Sequence, residues 1–248
     1  MEAKGYEEYV LGVDVARSMN SNNNQTSIAV LKIERSANGR IKTISLVNLI
    51  TITGTEKFES QAVTLKKTKK KYNASVVVVD SNGLGTGLVD CLVKENYDFE
   101  TGQTMECWQT INTDRQSDSN DGDRCIFELN AQSWQNEIVV GFIDAVDSHK
   151  FRMLEKRQNA NYDLEDNTNY QENILPFIQT DFLVDEILNL KIKHLSNGNL
   201  TLEKVVQKVD KDRVSATIYG VWYIKKYMDN ITIEEPDQLD ELAKYIMW

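Results

Sequence analysis

Two stretches of the chain are apolar at almost every position and end in an acid. Tyr9-Val10-Leu11-Gly12-Val13-Asp14 carries aliphatic and β-branched residues on both faces, the pattern of a central strand covered from two sides. Ser75-Val76-Val77-Val78-Val79-Asp80 is purer still and runs into Ser81-Asn82-Gly83-Leu84-Gly85-Thr86-Gly87, a flexible turn before a helix-like stretch from Leu88 to Glu95. Between these runs, Thr26 to Glu34 and Ile41 to Thr53 alternate as second and third strands joined through Ser36-Ala37-Asn38-Gly39. A helix-like stretch follows from near Glu56. The order strand, strand, strand, helix, strand, helix predicts an α/β fold, with an antiparallel meander followed by parallel strands.

Further along, the character is mixed. Asn112 to Arg124 is polar, with Asp114, Asp118, Asp121 and Asp123 around Gly122; it lacks the spacing of a calcium loop and is expected to be an ordinary loop. Ala131 to Asp147 places Trp134, Ile138, Phe142 and Ala145 on one helical face. Asn159 to Asn173 is again polar. Ile174 to Lys193 is expected to be a second helix with Ile178, Phe182 and Leu188 among its apolar positions. Asn197-Gly198-Asn199 then turns into Leu200 to Val206, expected as part of a short hairpin beside the functional site. Val214, Ile218, Val221 and Trp222 recur at i, i+4, i+7 and i+8, one buried helical face. The tail from Thr232 to Trp248 ends in a short amphipathic helix containing Leu239, Leu242 and Ile246.

At 248 residues, 41% of them apolar, the chain can bury a full core as one large domain, or as one domain with an insertion. Cys91, Cys107 and Cys125 are odd in number and contain no C-x-x-C pair, which indicates neither a disulfide framework nor a zinc site. His149 and His194 are expected to be surface residues. No signal peptide is expected from the residues present, and no apolar run approaches a membrane span. The net charge of −10 argues against a general nucleic-acid binder, which would carry a basic footprint. Two local exceptions stand out. Lys66-Lys67-Thr68-Lys69-Lys70-Lys71 is either a solvated helix face or a phosphate contact. Lys204, Lys208, Lys211 and Arg213 crowd the approach to Asp212 and are the better candidates for gripping a phosphate backbone.

The chemistry centres on acids. Asp14 and Asp80 end buried strands, at the sheet edge where open α/β folds bind ligands. Asp212 precedes an amphipathic helix, where a carboxylate also suits the helix dipole; Asp210 competes for the same role. Each acid taken alone is as well explained as a helix cap, a turn residue or half of a surface ion pair. Three of them mounted this way supply what a two-metal phosphodiester-cleaving site needs. Oxygen donors of this kind select Mg²⁺ or Mn²⁺ over zinc. Gly83, Gly85 and Gly87 do not follow a dinucleotide-binding spacing, and no Walker-type loop occurs in the chain.

The strand ending in Asp14, the segment Val79-Asp80-Ser81-Asn82-Gly83-Leu84-Gly85-Thr86-Gly87-Leu88-Val89-Asp90, and Lys211-Asp212-Arg213-Val214-Ser215-Ala216 with the following Tyr219-Gly220 together resemble the nuclease domain of phage large terminase subunits. The similarity extends to Cys125–Ala131 and Gln179–Lys191 and so runs over most of the chain. It implies a ribonuclease H-like fold with a mixed central sheet flanked by helices. It also implies a metal-dependent endonuclease that cuts double-stranded concatemeric DNA, with little sequence preference, during genome packaging. Carried over by position, Asp14, Asp80 and Asp212 become the ligands of two Mg²⁺ or Mn²⁺ ions, with Asp14 between them. The partners implied are double-stranded DNA and, in a full-length protein, the portal, the small terminase subunit and a packaging ATPase domain. The location implied is the cytoplasm of the infected host, at the packaging motor on the procapsid. With no Walker-type loop and no length to spare, the chain is expected to be an isolated nuclease half, residues 9–248 forming the nuclease and residues 1–8 a linker remnant or an expression start. Two alternatives stay open: an actin- or sugar-kinase-like ATP-binding fold, which would need two copies of the unit, and a non-catalytic docking module.

Overall fold

The structure, a computed structural model, describes residues 7–16, 25–36, 38–157 and 170–229, with the backbone alone for 170–172. Strands β1 (Glu8–Asp14), β2 (Gln25–Arg35) and β3 (Ile41–Thr53) form the expected antiparallel meander, followed by α1 (Phe58–Tyr72), β4 (Val76–Asp80) and α2 (Leu84–Leu92). Next come β5 (Asn96–Asp98), β6 (Gln103–Met105), β7 (Trp108–Thr110), β8 (Asp123–Leu129), α3 (Gln135–Asp147) and β9 (Phe151–Arg152). The last elements among the described residues are α4 (Tyr170–Leu188), β10 (Leu190–His194), β11 (Leu200–Lys204) and α5 (Asp212–Tyr223), which runs into a π-helical turn at Ile224–Met228.

A seven-stranded sheet in the order β7-β8-β4-β1-β2-β3-β9 organises the molecule. The β1–β2 and β2–β3 pairs are antiparallel, while β1–β4, β4–β8, β7–β8 and β3–β9 are parallel. Both faces are covered, as the unbroken apolar runs require. Val10, Ala29, Leu31 and Val78 pack with α3, α4 and α5, whereas Leu11, Val13, Val77 and Val79 pack with α1 and α2. Because β1 and β4 run in the same direction, Asp14 and Asp80 emerge at the same sheet edge.

Several boundaries differ from the sequence expectation. The helix expected through Lys193 stops at Leu188. Asn189 ends it by clasping the backbone of Val206, accepting from its N–H at 2.8 Å and donating to its carbonyl at 3.0 Å. Leu190–His194 then pairs antiparallel with Leu200–Lys204, the expected hairpin with a longer first arm. Among the described residues Ile174 and Leu183 are the buried apolar positions of α4, and Phe182 and Leu188 lie exposed. The α2 helix starts at Leu84 rather than Leu88. Asp123 and Arg124, placed by their polarity in a loop, open strand β8. Of the polar stretch 159–173, residues 170–173 are helical and the rest lies outside the described residues, as does the 232–248 tail. Among the described residues no helix is long and apolar enough to cross a membrane.

Candidate active site

Close backbone packing sets the site helix on the sheet. A Cβ placed on Gly12 would overlap the carbonyl oxygen of Ala216 and lie 2.8 Å from the Gly220 nitrogen. Only with glycine at position 12 of β1, facing Gly220 across the contact, can α5 lie this close. That approach brings the first turn of α5, which carries Asp212 and Ser215, to the end of β1. The same device works at the second strand, where a Cβ on Gly85 would overlap the Asp80 carbonyl. The turn after Asp80 is thus a close-packed junction, with Gly83 at φ 61° supplying a backbone angle that side chains disfavour.

Asp14, Asp80 and Asp212 come together at this edge from widely separated parts of the chain. Burial, then the charges of Asp212 and Asp80, push the Asp14 carboxyl up to about 8, opposed by the Ser215 hydroxyl and Lys211. Burial also raises Asp80, against hydrogen bonds donated by the Ala131 and Asn82 N–H groups, each at 3.2 Å, and against the lowering effect of the Tyr219 side chain. Burial and Asp210 raise Asp212, opposed by the Gln25 N–H at 3.3 Å. Three carboxylates whose protonation is favoured by burial, one of them also by its two companions, form an environment short of positive charge.

The donor set fits a hard divalent cation: three carboxylates, two of which act on Asp14, with no histidine or cysteine sulfur among the groups that shift them. As they stand, the side chains engage protein donors. Among the described residues no group of three or more His, Cys, Asp or Glu side chains is gathered for holding a metal ion.

Two residues not singled out from the sequence complete this wall. The Ser215 hydroxyl acts to lower Asp14 and the Tyr219 hydroxyl acts to lower Asp80, so two α5 hydroxyls face the strand-end acids. Burial, then Asp14 and Asp80, push the Tyr219 phenol up. The signal was present in the spacing, since Asp212, Ser215 and Tyr219 fall at i, i+3 and i+7 on one helical face. A third residue, Glu186 of α4, is 3% exposed. It accepts the N–H groups of Arg213 and Val214 at 3.0 and 3.1 Å, capping α5 from another helix and holding Asp212 at the site.

The expected cations divide. Lys211 lines the cavity beside Asp80 and acts on Asp14, and Lys204 acts on Asp212. Lys208 is exposed in the intervening turn. Arg213 is committed internally: its guanidinium donates to Glu186 at 2.7 Å, Gln179 at 2.8 Å and Gln25 at 3.2 Å, and lies over the Phe182 ring. The lysine run of α1 divides, with Lys70 and Lys71 exposed on a solvated face and the other three engaged internally. Lys66 is buried and donates to the carbonyls of Lys94 and Glu106, Lys67 pairs with Asp98 and Glu100, and Lys69 pairs with Asp123. His194 is exposed, as expected, and His149 sits at a left-handed position with φ 56° just after α3.

A cavity of about 380 Å³ opens beside Asp80. The β10–β11 hairpin forms part of its wall, tied to α3 by Gln135 donating to Thr201 at 2.7 Å and by the Leu200 N–H donating to Asn136 at 2.7 Å.

No family model and no curated protein matches the sequence. Solved structures do match. The large terminase nuclease of thermophilic phage G20c, crystallised with bound magnesium, superposes with a TM-score of 0.50 and 14% identity, over 87% of this chain and 80% of that one. The fold is that of a phage large terminase nuclease. The large terminase nuclease domain of Thermus phage P74-26 gives 0.49 and 14%, over 88% and 80%. The bacteriophage HK97 large terminase gives 0.46 and 8%, over 90% of this chain and 40% of that one. The mixed sheet flanked by helices is the expected ribonuclease H-like architecture, and in this terminase-nuclease fold the three acids occupy a single edge.

Proposed function

We propose that this chain is a metal-dependent endonuclease that cuts double-stranded DNA during phage genome packaging, with Asp14, Asp80 and Asp212 holding Mg²⁺ or Mn²⁺. The observation that carries the proposal is the convergence of these three carboxylates, with both companions raising Asp14, at the sheet edge of a terminase-nuclease fold. The G20c nuclease, similar in fold, holds magnesium in its crystal.

Bound divalent ions would offset the repulsion among the acids, activate a water and stabilise the leaving oxygen. The chain's own residues set the stage. Ser215 and Tyr219 orient the strand-end carboxylates, Glu186 fixes the first turn of α5, and Lys211 and Lys204 present positive charge to a phosphate backbone. Recognition through phosphate and metal leaves base edges unread and gives little sequence preference. In this role the protein works at the packaging motor in the infected host, with DNA as substrate and the portal, small terminase subunit and packaging ATPase domain as partners.

The test is incubation of supercoiled plasmid with the purified protein, with and without Mg²⁺ or Mn²⁺, beside the Asp80→Asn variant. Metal-dependent nicking and linearisation, lost in a variant that keeps its circular dichroism spectrum, is the expected result. Cleavage retained in Asp80→Asn would overturn the site assignment, and absence of cleavage with either ion would overturn the nuclease assignment.

A further inference from the structure

The cavity beside the carboxylates is larger than a metal site requires. Its volume of about 380 Å³ lies within the range of pockets that bury a small organic ligand. Part of the wall is polar, with Asp80, Asn82 and Lys211 and the amides of Gln132 and Gln135. The remainder is apolar and drawn from three elements, with Ile138 on α3, Leu202 on the hairpin and Ile218 on α5.

A phosphate joined to a flat heterocycle matches this division. The phosphate suits Lys211 and any cation that the acids would hold, the ring faces suit the aliphatic side chains, and the ring edge offers donors and acceptors to side-chain amides. We infer that the cavity receives one unpaired nucleobase of the strand being cut, an inference that rests on the nuclease function proposed above. A base in an intact duplex is stacked and paired and must leave the helix to enter. That step is least costly where the base is bulged, mismatched or single-stranded. The preferred substrate class is therefore DNA with a locally unpaired nucleotide beside the scissile phosphate.

Two measurements test this on the whole protein. The first compares Mg²⁺-dependent cleavage of a fully paired duplex with that of the same duplex carrying a single-base bulge, in the unsubstituted protein and in Leu202→Trp, whose indole would fill the cavity. The bulged duplex is expected to be cut about ten-fold faster, next to the bulge, with the ratio falling to about one in the variant. Equal rates in the unsubstituted protein, or an unchanged ratio in Leu202→Trp, would overturn the inference.

The second measurement needs no cleavage and no variant. With Ca²⁺ in place of Mg²⁺, a 2-aminopurine in the bulge is expected to become about two-fold less accessible to acrylamide quenching on binding. No protection would overturn the base site even if Leu202→Trp fails to fold. Protection without cleavage under any metal would instead sink the nuclease proposal while the base site stands.

Discussion

Replacing Gly12 with alanine tests how the site is assembled. The new methyl would overlap the Ala216 carbonyl oxygen and lie 2.8 Å from the Gly220 nitrogen and 3.2 Å from the Ala216 carbonyl carbon. These atoms belong to the backbone of a helix, so no side chain can swing away, and α5 must lift by about 1 Å, enough to weaken its contacts with β1 and β2. Gly12 does not hold a left-handed backbone angle, so the whole effect is steric. Overpacking of this kind costs about 3 kcal/mol, which for a domain of this length lowers Tm by about 6–12 °C. The lift also moves Asp212 and Ser215 away from Asp14, and a misplacement of about 1 Å at a reacting centre lowers turnover about 100-fold. Gly141, within α3, is the control, because a Cβ there meets nothing within 4 Å; Gly141→Ala should gain about 1 kcal/mol of helix propensity. Thermal unfolding and plasmid cleavage on both variants decide the matter. A Gly12→Ala protein that melts within about 2 °C of the parent and cuts at full rate would refute the argument.

Other substitutions probe the remaining parts. Because the Asp14 carboxyl is raised to about 8 in the folded protein, the folded state binds more protons than the unfolded chain between about pH 4 and pH 8. In chelator, Tm should therefore fall as pH rises across that window and fall less in Asp14→Asn; parallel curves would exclude Asp14 as the cause. Arg213→Ala should destabilise by about 3–5 kcal/mol by leaving Glu186 buried without its partner, seen as a lower urea midpoint. If it instead only weakened DNA binding, the internal role given to Arg213 would be wrong. Tyr219→Phe should keep the parent Tm yet bind Mn²⁺ about 10–100-fold more weakly by calorimetric titration, as removal of a group that orients a ligand does. Lys66→Ala should lower Tm, since it strips the carbonyls of Lys94 and Glu106 of a buried donor, with no change in the salt dependence of DNA binding.

The strands carrying Asp14 and Asp80 were legible because a doubly covered strand shows an unbroken apolar run, and the helix of Val214 and Ile218 was legible from its 3.6-residue period. What stayed hidden depends on partners distant in sequence. Arg213 announces a charge, but Glu186, which engages it, lies on another helix. Lys66, Lys67 and Lys69 of α1 read as part of a basic patch because Asp98, Glu100, Asp123 and two backbone carbonyls, which engage them, lie elsewhere. Gly12 and Gly220 meet only after folding, and neither carries a local mark of that contact. Leu190-Lys191-Ile192-Lys193 does alternate with period two, yet it adjoins a helix and merged with it; the Asn189 clasp on Val206 that separates them is a tertiary event.

The three acids also have an order of appearance. Synthesis proceeds from the N-terminus at about 5–20 residues per second, so α5 is made roughly 7–26 s after β4. Until it arrives, the sheet edge holds Asp14 and Asp80 without Asp212, without the hydroxyls of Ser215 and Tyr219, and without the helix that packs on Gly12. A nascent chain that stops short of α5 thus contains two acids and no assembled centre, and the cleavage activity proposed here would stay silent on the ribosome until α5 has been made and packed.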